Sequence, residues 1–171
     1  MCACSRSNMT KAVVFDLGGT LMEYKGMPLN WEGFYYQGFQ NVNRRNHLNL
    51  SEEDVLEAHT FEYAEETIGQ CRRNGVHVAC LTDLPNGMPD RIFRSAVISI
   101  EPLLDLYVSS QICGARKPSG KGIEYIAAYF GIEVPEVLLV GDEKKDEETA
   151  VNAGCGFMYI GEFLNRYGLI K

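Results

Sequence analysis

The sequence predicts an α/β protein: a doubly wound parallel sheet with a small, mostly helical insertion near its start. Three observations carry that prediction. Short apolar runs recur along the chain, helical patterns separate most of them, and acidic or hydroxyl residues directly follow several of the runs. Strand–helix alternation implies a parallel sheet covered by helices on both faces. In such sheets the functional site lies outside the C-terminal ends of the strands.

The first run, Ala12–Phe15, opens "AVVFDLGGTL" and delivers a single carboxylate, Asp16, before Gly18 and Gly19. A short apolar run bounded by turn residues is the pattern of a strand buried on both faces. Val76–Leu81, Leu106–Ser109, Val137–Val140 and Phe157–Ile160 repeat it. Between them, Ser51 and Asp54 mark the start of a helix through Arg73, with Leu56, Tyr63, Ala64, Thr67, Ile68 and Cys71 on its apolar face and Gly75 as its stop. Pro89 opens a helix carrying Ile92, Phe93, Ala96 and Val97. Ile123, Ile126, Ala127 and Phe130 form one face of a third, which Gly131 closes.

One segment interrupts the rhythm. Between Tyr24 and Leu50 there is no convincing strand, yet Trp31, Phe34, Tyr35, Tyr36 and Phe39 crowd together. With the Ser51 helix they form the insertion, packed on the domain or roofing a pocket near the first strand end. The same aromatics also offer a face through which two copies of the chain could form a homodimer.

Composition narrows the function. The 171 residues, 46% hydrophobic and 23% charged, suit one globular domain. A net charge of −7 with no basic block argues against nucleic acid or an anionic membrane as a partner. The sequence has no apolar run of bilayer length, and "MCACSRSNMT" reads as a mobile tail over residues 1–10 rather than a signal peptide. Cys2 and Cys4 have no second ligand pair at metal spacing, and Cys71, Cys80, Cys113 and Cys155 are scattered through apolar segments. Unpaired cysteines of this kind predict a reduced, cytoplasmic protein.

The chemistry gathers at the strand ends: Asp16 after the first strand, Thr82 and Asp83 after the second, Lys117 after the third, Asp142 and Asp146 after the fourth. An Asp or Thr ending a strand is commonly only a turn residue, but here all lie at one edge. Asp16 is a candidate carboxylate nucleophile. Asp142 and Asp146 are hard oxygen ligands suited to Mg²⁺. Lys117 is a compact charge for a phosphoryl oxygen, Thr82 offers a hydroxyl, and the amides of Leu17 and Gly18 could form an anion-binding nest. Together the pieces suit phosphoryl transfer.

These segments resemble the haloacid dehalogenase superfamily of hydrolases, most of them Mg²⁺-dependent phosphatases. "FDLGGTL" resembles its first motif, "ACLTD" its second, "RKPSGKGIEYIAAYFGI" its third and "LLVGDEKKDEETAVNAG" its fourth. The resemblance covers residues 11–23 and about 76–160. It implies a Rossmann-like core formed by residues 11–23 and 71–171, with a short cap insertion over 24–70. It also implies an aspartyl-phosphate on Asp16, phosphate held by Thr82 and Lys117, and Mg²⁺ held by Asp16, the Gly18 carbonyl, Asp142 and, through water, Asp146.

The sequence departs from the family at Gly18, where such phosphatases usually carry a second Asp that protonates the leaving oxygen. Losing a positioned acid–base group costs about 10² to 10⁴ in rate. Three accounts follow. The substrate has a good leaving group, another acid (Glu23, Asp83 or Glu143) substitutes, or the protein binds phosphorylated ligands without turnover. A small residue at position 18 also suits phosphonate-cleaving members, but Lys25 is the only lysine between residues 24 and 70 for the Schiff base they need. A receiver domain is excluded because "YVSSQ" puts no acid at the third strand end, and "DLGGTL" lacks dinucleotide-binding glycine spacing. Of the histidines, His77 alternates as a core residue, and His47 and His59 take no role.

Overall fold

The computed structural model describes residues 9–25 and 56–168. Seven strands and five helices follow one another along these residues: β1 (Ala12–Phe15), β2 (Met22–Lys25), β3 (Glu57–Thr60), α1 (Ala64–Arg73), β4 (His77–Thr82), α2 (Asp90–Ala96), β5 (Leu106–Ser109), α3 (Lys121–Phe130), β6 (Val137–Gly141), α4 (Lys144–Ala153), β7 (Gly156–Tyr159) and α5 (Ile160–Arg166). The main sheet has the order β5-β4-β1-β6-β7 and is parallel throughout. The expected α/β class and parallel sheet are therefore observed.

Register and burial follow from the apolar runs. Every residue of β1 is buried, with Val13 and Phe15 in one cluster and Ala12 and Val14 in the other. Side chains alternate across a strand, so β1 serves two cores at once. Ile68 and Cys71 of α1, Phe93 of α2 and Phe163 of α5 pack on the Phe15 side. Ile123 and Ile126 of α3 and Ala150 of α4 pack on the Val14 side. Phe15 meets Phe163 edge-on at 5.5 Å, and truncating a buried Phe of this kind costs about 3–5 kcal/mol.

The topology fixes where a site can form. From β1 the chain moves outward to β4 and β5, then returns to place β6 on the other side of β1. In open α/β sheets ligands bind at such a reversal, outside the C-terminal strand ends, and here that end of β1 leads into Asp16. Gly131 and Gly154 close α3 and α4 in the left-handed conformation, at φ +65° and +83°, which glycine adopts without a Cβ penalty.

Two expectations change. The helix expected from Ser51 through Arg73 begins at Ala64, because Glu57–Thr60 forms β3. Its partner is β2, antiparallel, with Met22 opposite Thr60 and Tyr24 opposite Ala58. The 3.6-residue pattern from Leu56 onward could not reveal a pairing with a segment more than thirty positions earlier in the chain. His77, expected in the core, starts β4 at its exposed N-terminal end, where its ring stacks on Phe130 at 4.4 Å.

Residues 51–55, His47, the aromatic group Trp31–Phe39 and Cys2 and Cys4 lie outside the described residues, and with them the expected roof and self-association face. No helix among the described residues is long and apolar enough to cross a membrane.

Candidate active site

Asp16 leaves β1 with its backbone N–H donating to the carbonyl of Val140 at 2.9 Å, so the last rung of the sheet fixes its position. It is 6% exposed. Lys117 arrives from the loop after β5, its backbone N–H donating to Asp83 Oδ1 at 3.1 Å. Its side chain runs inward, where Nζ donates to Asp16 Oδ1 at 2.7 Å and to Asp146 Oδ1 at 2.6 Å. The ammonium thus ties the β1 end to the first turn of α4.

Asp146 is completely buried and also caps its own helix, accepting from the Glu143 amide at 3.1 Å through Oδ2. Its burial depends on Gly141, where a Cβ would overlap the Asp146 carboxyl. Asp142 is the exposed member of the group. It accepts from Thr20 Oγ1 at 3.2 Å and lies so close to Gly19, whose φ is +77°, that a Cβ there would overlap its Oδ2. Two glycines therefore create the space in which two carboxylates approach the nucleophile candidate.

Asp16, Asp142 and Asp146 each present an oxygen within 4.8 Å of the others'. Like charges about 4 Å apart cost on the order of 4 kcal/mol at an effective dielectric near 20. One ammonium offsets only part of that. Burial pushes the Asp16 carboxyl up, Lys117 opposes it, and Asp146 and Asp142 add to the rise, to about 7. Burial likewise raises Asp142, against the Thr20 hydrogen bond. Burial pulls Lys117 down, but Asp16 and Asp146 outweigh it and hold the ammonium above its ordinary value. A donor set of three crowded carboxyl oxygens, one facing outward, fits a hard divalent cation such as Mg²⁺.

Thr82 ends β4 at 3% exposure, opposite Ser109 of β5. Asp83 is turned to the Lys117 amide and to Arg116, 3.9 Å away. After β1 the chain folds tightly on itself: the Leu17 carbonyl accepts from the amides of Thr20, Leu21 and Met22, and the Gly19 amide donates to the Met22 carbonyl at 2.7 Å.

A sequence model of the haloacid dehalogenase-like hydrolases matches residues 33–154, well over half of the chain. The chain belongs to this family. Among its relatives is a candidate pyrophosphatase, PpaX, of Clostridium perfringens, 23% identical over 94% of this chain and 89% of that protein. A phosphoglycolate phosphatase of Thiobacillus denitrificans is 24% identical over 65% of this chain but only 48% of its own length, so the chain spans about half of that relative. A haloacid dehalogenase family hydrolase of Deinococcus radiodurans, solved with bound phosphate and sodium, superposes with a TM-score of 0.64 at 17% identity, covering 88% of this chain and 80% of that one. At that identity the likeness shows the fold.

Asp16, Lys117, Asp142 and Asp146 thus meet in the haloacid dehalogenase-like core as one group, with Thr82 at the adjoining strand end. Of the three acids considered as substitutes at Gly18, Asp83 is engaged as described, Glu143 pairs with Lys145 at 2.9 Å, and Glu23 is exposed opposite His59 in the β2–β3 pair. Two residues that the motifs gave no reason to single out also belong to the site. Thr20 orients Asp142, and the Tyr24 ring lies against Gly18. A Thr in a glycine turn reads as a turn residue, and Tyr24 reaches Gly18 only through the fold-back of residues 17–22.

Proposed function

We propose that the chain is a phosphatase of small phosphorylated substrates that works through an aspartyl-phosphate on Asp16. The observation carrying this reading is the Lys117 ammonium, held between Asp16 and Asp146 at the C-terminal edge of the sheet, with Asp142 beside them. The relatives named phosphatase and pyrophosphatase support the same class.

In this reading Asp16 attacks phosphorus, the bond from phosphorus to the leaving oxygen breaks, and the leaving group takes its proton from solvent. Water then cleaves the acyl phosphate, which restores Asp16 and releases inorganic phosphate. Lys117 holds the Asp16 carboxylate in place and neutralises phosphoryl oxygens, and Thr82 donates its hydroxyl to them. Asp16, Asp142, Asp146 and the Gly18 carbonyl would hold Mg²⁺, which when bound offsets the charge of the carboxylates and phosphate. Leu17 and Gly18 offer amides to the phosphate, and Asp83 supports that side by fixing the Lys117 backbone.

Because residue 18 has no side chain, acyl phosphates, anomeric sugar phosphates and anhydrides, whose leaving groups need little protonation, are the substrates it handles best. A protein that binds phosphorylated ligands with little turnover is the second reading, favoured by the same absence. Residues 24–70 are the cap-like insertion, whose described parts are the end of β2, β3 and the start of α1, between segments of the core at 11–23 and 71–171. The unpaired Cys71, Cys80, Cys113 and Cys155 suit a cytoplasmic setting.

Phosphate release from acetyl phosphate, with and without Mg²⁺, tests the proposal. Release that requires Mg²⁺ and disappears in Asp16→Asn is expected. Undiminished release from the variant would defeat it.

A further inference from the structure

The carboxyl usual at position 18 is absent, but its place is taken. A Cβ built on Gly18 would lie 2.7 Å from Tyr24 Cε2, 3.3 Å from Cδ2 and 3.6 Å from Cζ. The Tyr24 ring therefore lies flush on the glycine, closer than any side chain at residue 18 permits. It is held there from three directions. The fold-back of residues 17–22 and the pairing of Tyr24 with Ala58 fix its backbone. Phe93 of α2 packs edge-on against it at 5.8 Å. Its hydroxyl is buried, with Asp16 and Thr82 among the groups acting on it.

We propose that Gly18 and Tyr24 are a matched pair, in which the tyrosine ring fills the volume of a residue-18 side chain and walls the reacting face of Asp16. The leaving-group half of this inference rests on the phosphatase reading; the volume half does not. The site has exchanged a carboxyl for a ring, so restoring the carboxyl alone does not restore an acid. Tyr24 is thus a specificity residue. It favours leaving groups that depart without a proton from the protein, and limits how closely a bulky group can lie beside Asp16.

Two measurements test this. The first is thermal unfolding of Gly18→Ala in wild type and in Tyr24→Ala, Tyr24→Leu and Tyr24→Phe backgrounds. Overpacking a buried contact in a chain of this size lowers Tm by roughly 3–10 °C. The pair predicts that loss in wild type and in Tyr24→Phe, which keeps the ring. It predicts little or no further loss in Tyr24→Leu or Tyr24→Ala, whichever folds. Equal losses in all backgrounds would overturn it.

The second is phosphate release from acetyl phosphate and from methyl phosphate. Gly18→Asp combined with Tyr24→Leu is expected to raise the methyl-to-acetyl rate ratio at least tenfold over Tyr24→Leu alone, while Gly18→Asp alone does not. An equal rise in Gly18→Asp alone would show that the side chain fits beneath the ring, and an unchanged ratio in the double variant would refute the leaving-group role. Absence of release from either compound by any protein would refute the phosphatase reading, and the unfolding series would still decide the volume claim.

Discussion

Lys117 Nζ lies 2.7 Å from Asp16 Oδ1, joining residues 101 positions apart, both nearly sealed from water. The same ammonium reaches Asp146, so one cation holds two buried carboxylates and, through them, β1 and α4.

Removing that cation should be costly. Lys117→Met leaves Asp16 and Asp146 buried without their partner, and breaking a buried ion pair from one side typically costs about 3–5 kcal/mol. Chemical denaturation at pH 7 should show a loss of this order in the metal-free protein, together with loss of phosphate release.

The raised Asp16 carboxyl gives a pH dependence with a definite sign. Its folded value of about 7 exceeds the ordinary 3.8 of an unfolded chain, so the native state binds this proton more tightly. The corresponding stabilisation is fully present below about pH 4 and is lost as pH rises toward and through about 7. Metal-free protein should therefore weaken across that window, by a few kcal/mol at most. Asp16→Asn should flatten the slope and be the more stable of the two at pH 8.

A divalent cation should act in the opposite direction. If Asp16, Asp142 and Asp146 hold Mg²⁺, a cation at 100 times its Kd adds about 2.7 kcal/mol to stability. Titration of wild type with MgCl₂ should raise Tm at pH 8, and Asp142→Ala should remove most of the rise. An equal rise in the variant would place the ion elsewhere.

Gly19 offers a backbone test. Its φ of +77° and the close approach of Asp142 leave no room for a Cβ. Gly19→Ala should lower stability by about 1–3 kcal/mol and reduce phosphate release, through displacement of Asp142.

Much of this was legible in the sequence for a physical reason. The strands of a parallel sheet are continuous apolar runs, so Ala12–Phe15 and Leu106–Ser109 could be bounded to the residue, and the others within one position. Polar residues at the ends of such runs must share an edge, which brought Asp16, Lys117, Asp142 and Asp146 together before any coordinates. What escaped depends on contacts the local pattern does not encode. The β2–β3 pair joins two short stretches across a long intervening segment, and the helix periodicity starting at Leu56 concealed it. The Tyr24 contact with Gly18 depends on that same fold-back, and so an absent carboxyl could be noticed in the sequence while its replacement could not.

The most direct test of the account is acid-quenched reaction of the Mg²⁺-loaded protein with ³²P-labelled acetyl phosphate, followed by mapping of the labelled peptide. Acid-stable, hydroxylamine-sensitive label on the peptide containing Asp16, absent from Asp16→Asn, is the predicted result. Phosphate release at the wild-type rate by Asp16→Asn, with no label on that peptide, would contradict it.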